Sequence, residues 1–106
     1  MLNKVQEEIL TILQEECAEV IQAVSKVRRF GEAGNIEQLE QEIADVLCMI
    51  NLAYRHGIMV KNEERVQNRI TVKEERLKKF SSIFKVPHET TWYKHLQPKL
   101  HWWLVY

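Results

Sequence analysis

The stretch LQEECAEVIQA, residues 13–23, reads as a helix that puts a carboxylate where its own periodicity asks for an apolar side chain. At about 100° per residue, Val5, Ile9, Ile12, Val20, Ala23 and Val27 fall on one stripe. Glu16 lies in the middle of that stripe and Glu19 at its edge. A carboxylate carried into a core without a partner costs several kcal/mol, so a compensating group is expected.

Working outward, glycine and proline punctuate the chain sparingly: Gly31, Gly34, Gly57, Pro87 and Pro98. They divide it into a helix over about residues 2–29, a loop FGEAGN, a helix over about 36–56, a turn HGIMVKN and a third helix over about 62–82. Asn35 with Gln38 reads as a helix cap and its reciprocal partner, and Asn62 as the cap of the third helix. The last fifteen residues crowd together Trp92, Tyr93, Trp102, Trp103 and Tyr106. Such a segment can pack over the bundle, close a ligand pocket or cement a subunit contact. Docking of some kind is expected, because a dangling aromatic tail exposes costly apolar area.

The second helix repeats the oddity of the first. LEQEIADVLCMINLAY, residues 39–54, has its main apolar stripe through Leu39, Ile43, Val46, Leu47, Ile50 and Tyr54, with Glu42 and Asp45 on the flank. That flank continues into Met49 and Leu52, and only Asn51 interrupts the apolar run from Val46 to Tyr54. A second carboxylate pair is thus aimed at the interior. Two antiparallel helices joined by a short loop bring such pairs face to face, Glu16 and Glu19 against Glu42 and Asp45. Four carboxylates so close must take up protons or share a cation. An all-oxygen cluster suits a hard divalent ion, Mg2+ or Mn2+. Lys26 projects on nearly the same side as Glu15 and Glu19, where a cation can meet phosphate oxygens. The plain alternative is a solvated helix face; what speaks against it is that both pairs break an apolar pattern on adjacent helices.

Bulk properties narrow the classes. At 106 residues the chain is one domain, small enough to gain from a partner subunit. Fifteen basic residues balance fifteen acidic ones, so no overall field draws it to polymeric nucleic acid or an anionic membrane. The longest apolar run, VLCMI, is too short to span a bilayer, and MLNKVQEEIL has no secretory apolar region, which points to the cytoplasm. Cys17 and Cys48 lack CxxC spacing and read as buried free thiols.

EECAE (Glu15, Glu16, Glu19) followed after twenty-two residues by EIAD (Glu42 to Asp45) resembles the EExxE…ExxD signature of the MazG-like all-alpha nucleoside triphosphate pyrophosphohydrolases. SKVRRFG, residues 25–31, is similar to a segment of small phage-encoded members. The resemblance is close over about residues 5–56 and looser to about residue 80. It implies an all-α, antiparallel helical bundle completed by oligomerisation, as a homodimer or homotetramer. It implies that Glu16, Glu19, Glu42 and Asp45 bind Mg2+, with Mn2+ as a substitute, and that Glu15 supports the site as a further ligand or by orienting the attacking water. The implied reaction cleaves a nucleoside triphosphate between its alpha and beta phosphates. Lys26 and Arg29, and on the third helix Asn68, Arg69 and Lys73, are the residues implied to contact phosphate or base.

The chain also departs from that pattern. Only fourteen residues precede Glu15, so a helix that many relatives use in base recognition is expected to be short or missing, and the aromatic tail is foreign to the family. The expected division is a helical catalytic domain over 1–82 and a tail over 83–106. Purine deoxynucleotides, dGTP among them, are the substrates the phage-type resemblance suggests. Two rivals stand beside this: the related phosphoribosyl-ATP pyrophosphohydrolase, and a non-catalytic helical dimerisation module, which leaves Glu16 and Asp45 unexplained. A di-iron bundle fails, because it needs Glu-x-x-His pairs and the four histidines follow Ala53, Lys85, Trp92 and Pro98 at that spacing. No glycine-rich phosphate loop exists.

Overall fold

The structure, a computed structural model, describes residues 1–85; the expectations for the aromatic tail fall on residues 86–106 and lie outside the described residues. The described chain is all helical: α1 (Lys4–Phe30), α2 (Asn35–Arg55), α3 (Glu63–Phe80) and a short 3-10 turn at Ile83–Lys85.

Local chemistry sets the ends of these helices. Asn3 Oδ1 accepts from Gln6 N at 2.8 Å while Gln6 Oε1 accepts from Asn3 N at 2.9 Å, a reciprocal cap at the start of α1. Gly31, at φ 90°, stops α1, and Gly34, at φ 75°, opens α2; both conformations favour glycine. The expected cap at Asn35 does not form. Gly34 holds the cap position, Asn35 is already helical, and its Nδ2 donates backwards to Gly31 O at 2.9 Å. The left-handed turn at Gly34 brings that carbonyl within reach, so Asn35 ties the loop together instead. Asn62 caps α3 as expected, accepting from Arg65 N at 2.9 Å.

The chain divides into two compact units. The first, Met1–Val60, is a hairpin of α1 and α2. The helices run antiparallel, and at the open end Gln6 Nε2 donates to His56 O at 2.7 Å. Ile9, Met49 and Ala53 form the core, with Ile12, Leu13, Leu52 and Ile58 packed against it. Ala53 is fully buried and, lacking a long side chain, lets the helices approach closely. Burial of the Ile9 and Met49 side chains contributes roughly 1.5–3 kcal/mol each.

Two readings of the apolar stripes change here. Val5 is 50 % exposed, because it sits in the first turn beyond the core. On α2 the face against α1 is the flank carrying Glu42, Met49 and Ala53, while the main stripe stays outside the core, with Ile43 43 % exposed. The thiols also differ from expectation: Cys17 and Cys48 are free but exposed, since both lie off the face where the helices meet.

The second unit begins at Lys61 and is described to Lys85. Glu63 and Glu64 in the first turn of α3, and Lys78 and Lys79 in its last, suit the helix dipole. Ion pairs Lys61–Glu63 at 3.5 Å and Lys78–Glu75 at 3.2 Å are exposed and contribute little. No residue of α3 is buried. No helix among the described residues is long and apolar enough to cross a membrane.

Candidate metal centre

The acidic residues that interrupt both apolar patterns meet across the hairpin. One carboxylate oxygen from each of Glu16, Glu42 and Asp45 lies within 4.8 Å of the others. Glu16 and Glu42 are half-buried and Asp45 is exposed, so the cluster sits at the rim of the seam rather than in its depth. Helix geometry explains the meeting. Glu42 and Asp45 share a face one turn apart, and the flank they occupy is the one turned to α1.

Among the described residues, no basic side chain pairs with the three carboxylates. Partial burial first, and then the charges of Asp45, Glu42, Glu19 and Glu15, push the Glu16 carboxyl above its ordinary carboxylate value. The two ion pairs named above belong to the second unit, and among the described residues every charge acting on Glu16 is acidic. Glu42 has a neutral partner instead: Gln38 Nε2 donates to its Oε1 at 2.6 Å in a half-buried position.

These residues fit a divalent cation. Oxygens about 2.1 Å from an octahedral ion stand roughly 3.0 Å apart when adjacent and about 4.2 Å when opposite, so three oxygens within 4.8 Å of one another reach one ion by small side-chain rotations. A hard, all-oxygen donor set suits magnesium or manganese better than zinc.

Glu19 is the member of the expected quartet that the geometry leaves outside the three. It is exposed, one turn beyond Glu16, and near enough for its charge to act on Glu16. Glu15 is exposed and likewise acts on Glu16 through its charge. Lys26 and Arg29 are exposed near the end of α1, and the Arg29 guanidinium lies 5.3 Å from the Phe30 ring centroid. Asn68, Arg69 and Lys73 are exposed on α3, in the other unit. Sequence reasoning missed Gln38, reading it as a capping residue; its signal was the spacing of four to Glu42, which places the two side chains together on a helix.

The family model of the MazG nucleotide pyrophosphohydrolase domain matches residues 4–79, which takes in α1, α2 and all but the last residue of α3, with both acidic motifs. The chain belongs to the MazG family. MazG proteins are hydrolases acting on the phosphoanhydride of nucleotides, and they generally use a divalent metal. No individual curated protein and no solved structure matches the chain. The all-helical build read from periodicity agrees with the MazG fold. The carboxylate cluster on α1 and α2 lies within the span that the family model matches.

Proposed function

We propose that the chain is a metal-dependent pyrophosphohydrolase that converts a nucleoside or deoxynucleoside triphosphate to the monophosphate and pyrophosphate. The observation that carries this reading is the convergence of Glu16, Glu42 and Asp45 within 4.8 Å, on a chain of the MazG family. Glu16, Glu42 and Asp45, with Glu19 reaching in by side-chain rotation, would hold Mg2+, or Mn2+ in its place. When bound, such an ion neutralises phosphate oxygens and makes a bound water more acidic.

The chain's own residues then take the following roles. Glu15 orients the attacking water or adds a ligand. The water oxygen bonds to the alpha phosphorus, the bond from that phosphorus to its bridging oxygen breaks, and pyrophosphate leaves with the electron pair. Positioning and charge stabilisation supply most of the barrier reduction. Lys26 stands ten residues beyond Glu16, about 15 Å along the helix, a span that its long side chain and a triphosphate bridge together. With Arg29 it receives the phosphate end. Asn68, Arg69 and Lys73 serve phosphate or base contacts. A purine deoxynucleotide such as dGTP is the favoured substrate of a small phage-type member.

The same reading includes assembly as a homodimer or homotetramer in the cytoplasm, with residues 1–82 as the catalytic domain. Support comes from the apolar side of the hairpin. Leu10, Cys17, Ile21 and Val24 on α1 lie about 80–140° round from Glu16, and Ile21 is 68 % exposed. On α2, Ile43 and Leu47 lie about 100–140° round from Glu42. In an antiparallel pair these sectors turn to the same side. A buried Asn51 Oδ1 finds no donor among the described residues, and an unmet buried acceptor costs about 1–3 kcal/mol.

A panel of common and deoxy triphosphates with Mg2+, resolved by chromatography, tests the proposal. Monophosphate with pyrophosphate is expected. Diphosphate with orthophosphate would contradict the assigned bond.

A further inference from the structure

We infer that Gln38 is a positioning residue, whose side-chain amide sets the orientation of the Glu42 carboxylate for cation binding; this rests on the reading of Glu16, Glu42 and Asp45 as a metal centre. Gln38 lies one turn before Glu42 on α2, is itself half-buried, and donates through Nε2 to Glu42 Oε1 at 2.6 Å. An ionised carboxylate only accepts, so the amide must present its NH2 end. A hydrogen bond this short to a charged acceptor belongs to the strong class. It restrains the terminal torsion of Glu42, which decides where the remaining lone pairs point.

The chemistry of the partner matters as much as its place. Among the described residues, every charge acting on Glu16 is negative and no basic side chain pairs with the three carboxylates. A lysine or arginine at position 38 would hold Glu42 as well but would add a positive charge beside a site meant for a cation. A neutral amide holds the carboxylate without that competition. Hydrogen-bond partners of ligating carboxylates typically change metal affinity by about 10–100-fold when removed. Gln38 is the one such partner that the described residues give the three carboxylates.

The test is Mn2+ binding to the metal-free full-length chain, followed by electron paramagnetic resonance of the free ion, for the wild type, Gln38→Met and Asp45→Asn. Methionine keeps the length of glutamine and its fit to a helix but donates nothing. Gln38→Ala, a stronger helix former, serves if Gln38→Met folds poorly. The expected result is about 10–100-fold weaker binding by the Gln38 variant, with its metal-free melting temperature near that of the wild type. The Mg2+ concentration for half-maximal turnover should rise in parallel, while turnover at saturating Mg2+ recovers; a purely structural role would instead lower the metal-free melting temperature. Wild-type Mn2+ affinity in the Gln38 variant together with a clear loss in Asp45→Asn would overturn the role of Gln38 alone. Wild-type affinity in Asp45→Asn would overturn the metal centre itself.

Discussion

The two sides of the α1–α2 hairpin are built from the same two helices and behave in opposite ways. On the seam, apolar residues pack into a core of Ile9, Met49 and Ala53, and the rim of that seam gathers Glu16, Glu42 and Asp45. On the other side, Cys17, Ile21, Val24 and Ile43 form an apolar surface, much of it exposed. One side concentrates like charge that only a cation or protons can relieve. The other concentrates greasy area that only a covering surface can relieve. On the proposed reading, one hairpin separates chemistry from assembly, because a helix with two apolar sectors has a face for each.

The largest effect should come from striking the seam. Asp45→Asn or Glu42→Gln is expected to lower pyrophosphate release by at least about a hundredfold, the scale of losing one charge-stabilising group in a preorganised site. Circular dichroism should show the helices intact. Turnover close to wild type in either variant would remove the chemical half of the contrast.

The apolar side comes next. Ile21→Glu should weaken self-association by at least about 3 kcal/mol, the low end for an uncompensated buried charge, which is more than a hundredfold in the association constant. Sedimentation velocity over a concentration series reads this directly. A wild-type chain already monomeric at high concentration would end the assembly reading.

A smaller, signed effect separates the seam from everything else. The Glu16 carboxyl titrates above its ordinary value of 4.5 in the folded chain, so the folded state binds its proton more tightly than the unfolded one. That contribution is fully present below the ordinary value and is lost as pH rises through the folded value. In chelator, the wild type should therefore lose thermal stability relative to Glu16→Gln as pH rises from about 4.5 into the neutral range, measured from paired melts. Added Mg2+ should reverse the difference, because only the wild type keeps the ligand. A difference independent of pH and metal would contradict the electrostatic account of the seam.

The smallest effect lies at the open end, away from both sides. Asn3→Ala removes half of the reciprocal cap and should cost about 1 kcal/mol, read from denaturant unfolding, with turnover unchanged.

Much of this architecture was legible in the residues. The three helices lie within two residues of where periodicity and the three glycines place them, because glycine at positive φ is a local signal that tertiary context did not override. The approach of Glu16, Glu42 and Asp45 was legible for a similar reason, since carboxylates that interrupt apolar patterns on neighbouring helices sit near their seam; Glu19, expected with them, lies outside the three, and Asp45 is exposed at the rim. The pairing of faces was less so. Leu39, Ile43 and Val46 make the stronger stripe on α2, yet the smaller Met49 and Ala53 flank meets α1. Periodicity counts the apolar sectors of a helix but does not say which neighbour each will find. Asn35 was misread because a cap residue must itself have non-helical dihedral angles, and Gly34 took that position while Asn35 became helical. Gln38 was missed with it, since its partner is set by a side-chain torsion rather than by spacing alone.

The central claim is best tested by crystals of the chain grown with Mn2+ and measured for anomalous scattering. The account predicts a peak between the carboxylates of Glu16, Glu42 and Asp45 on the rim of the seam. Manganese bound only elsewhere, with those three side chains turned out into solvent, would contradict it.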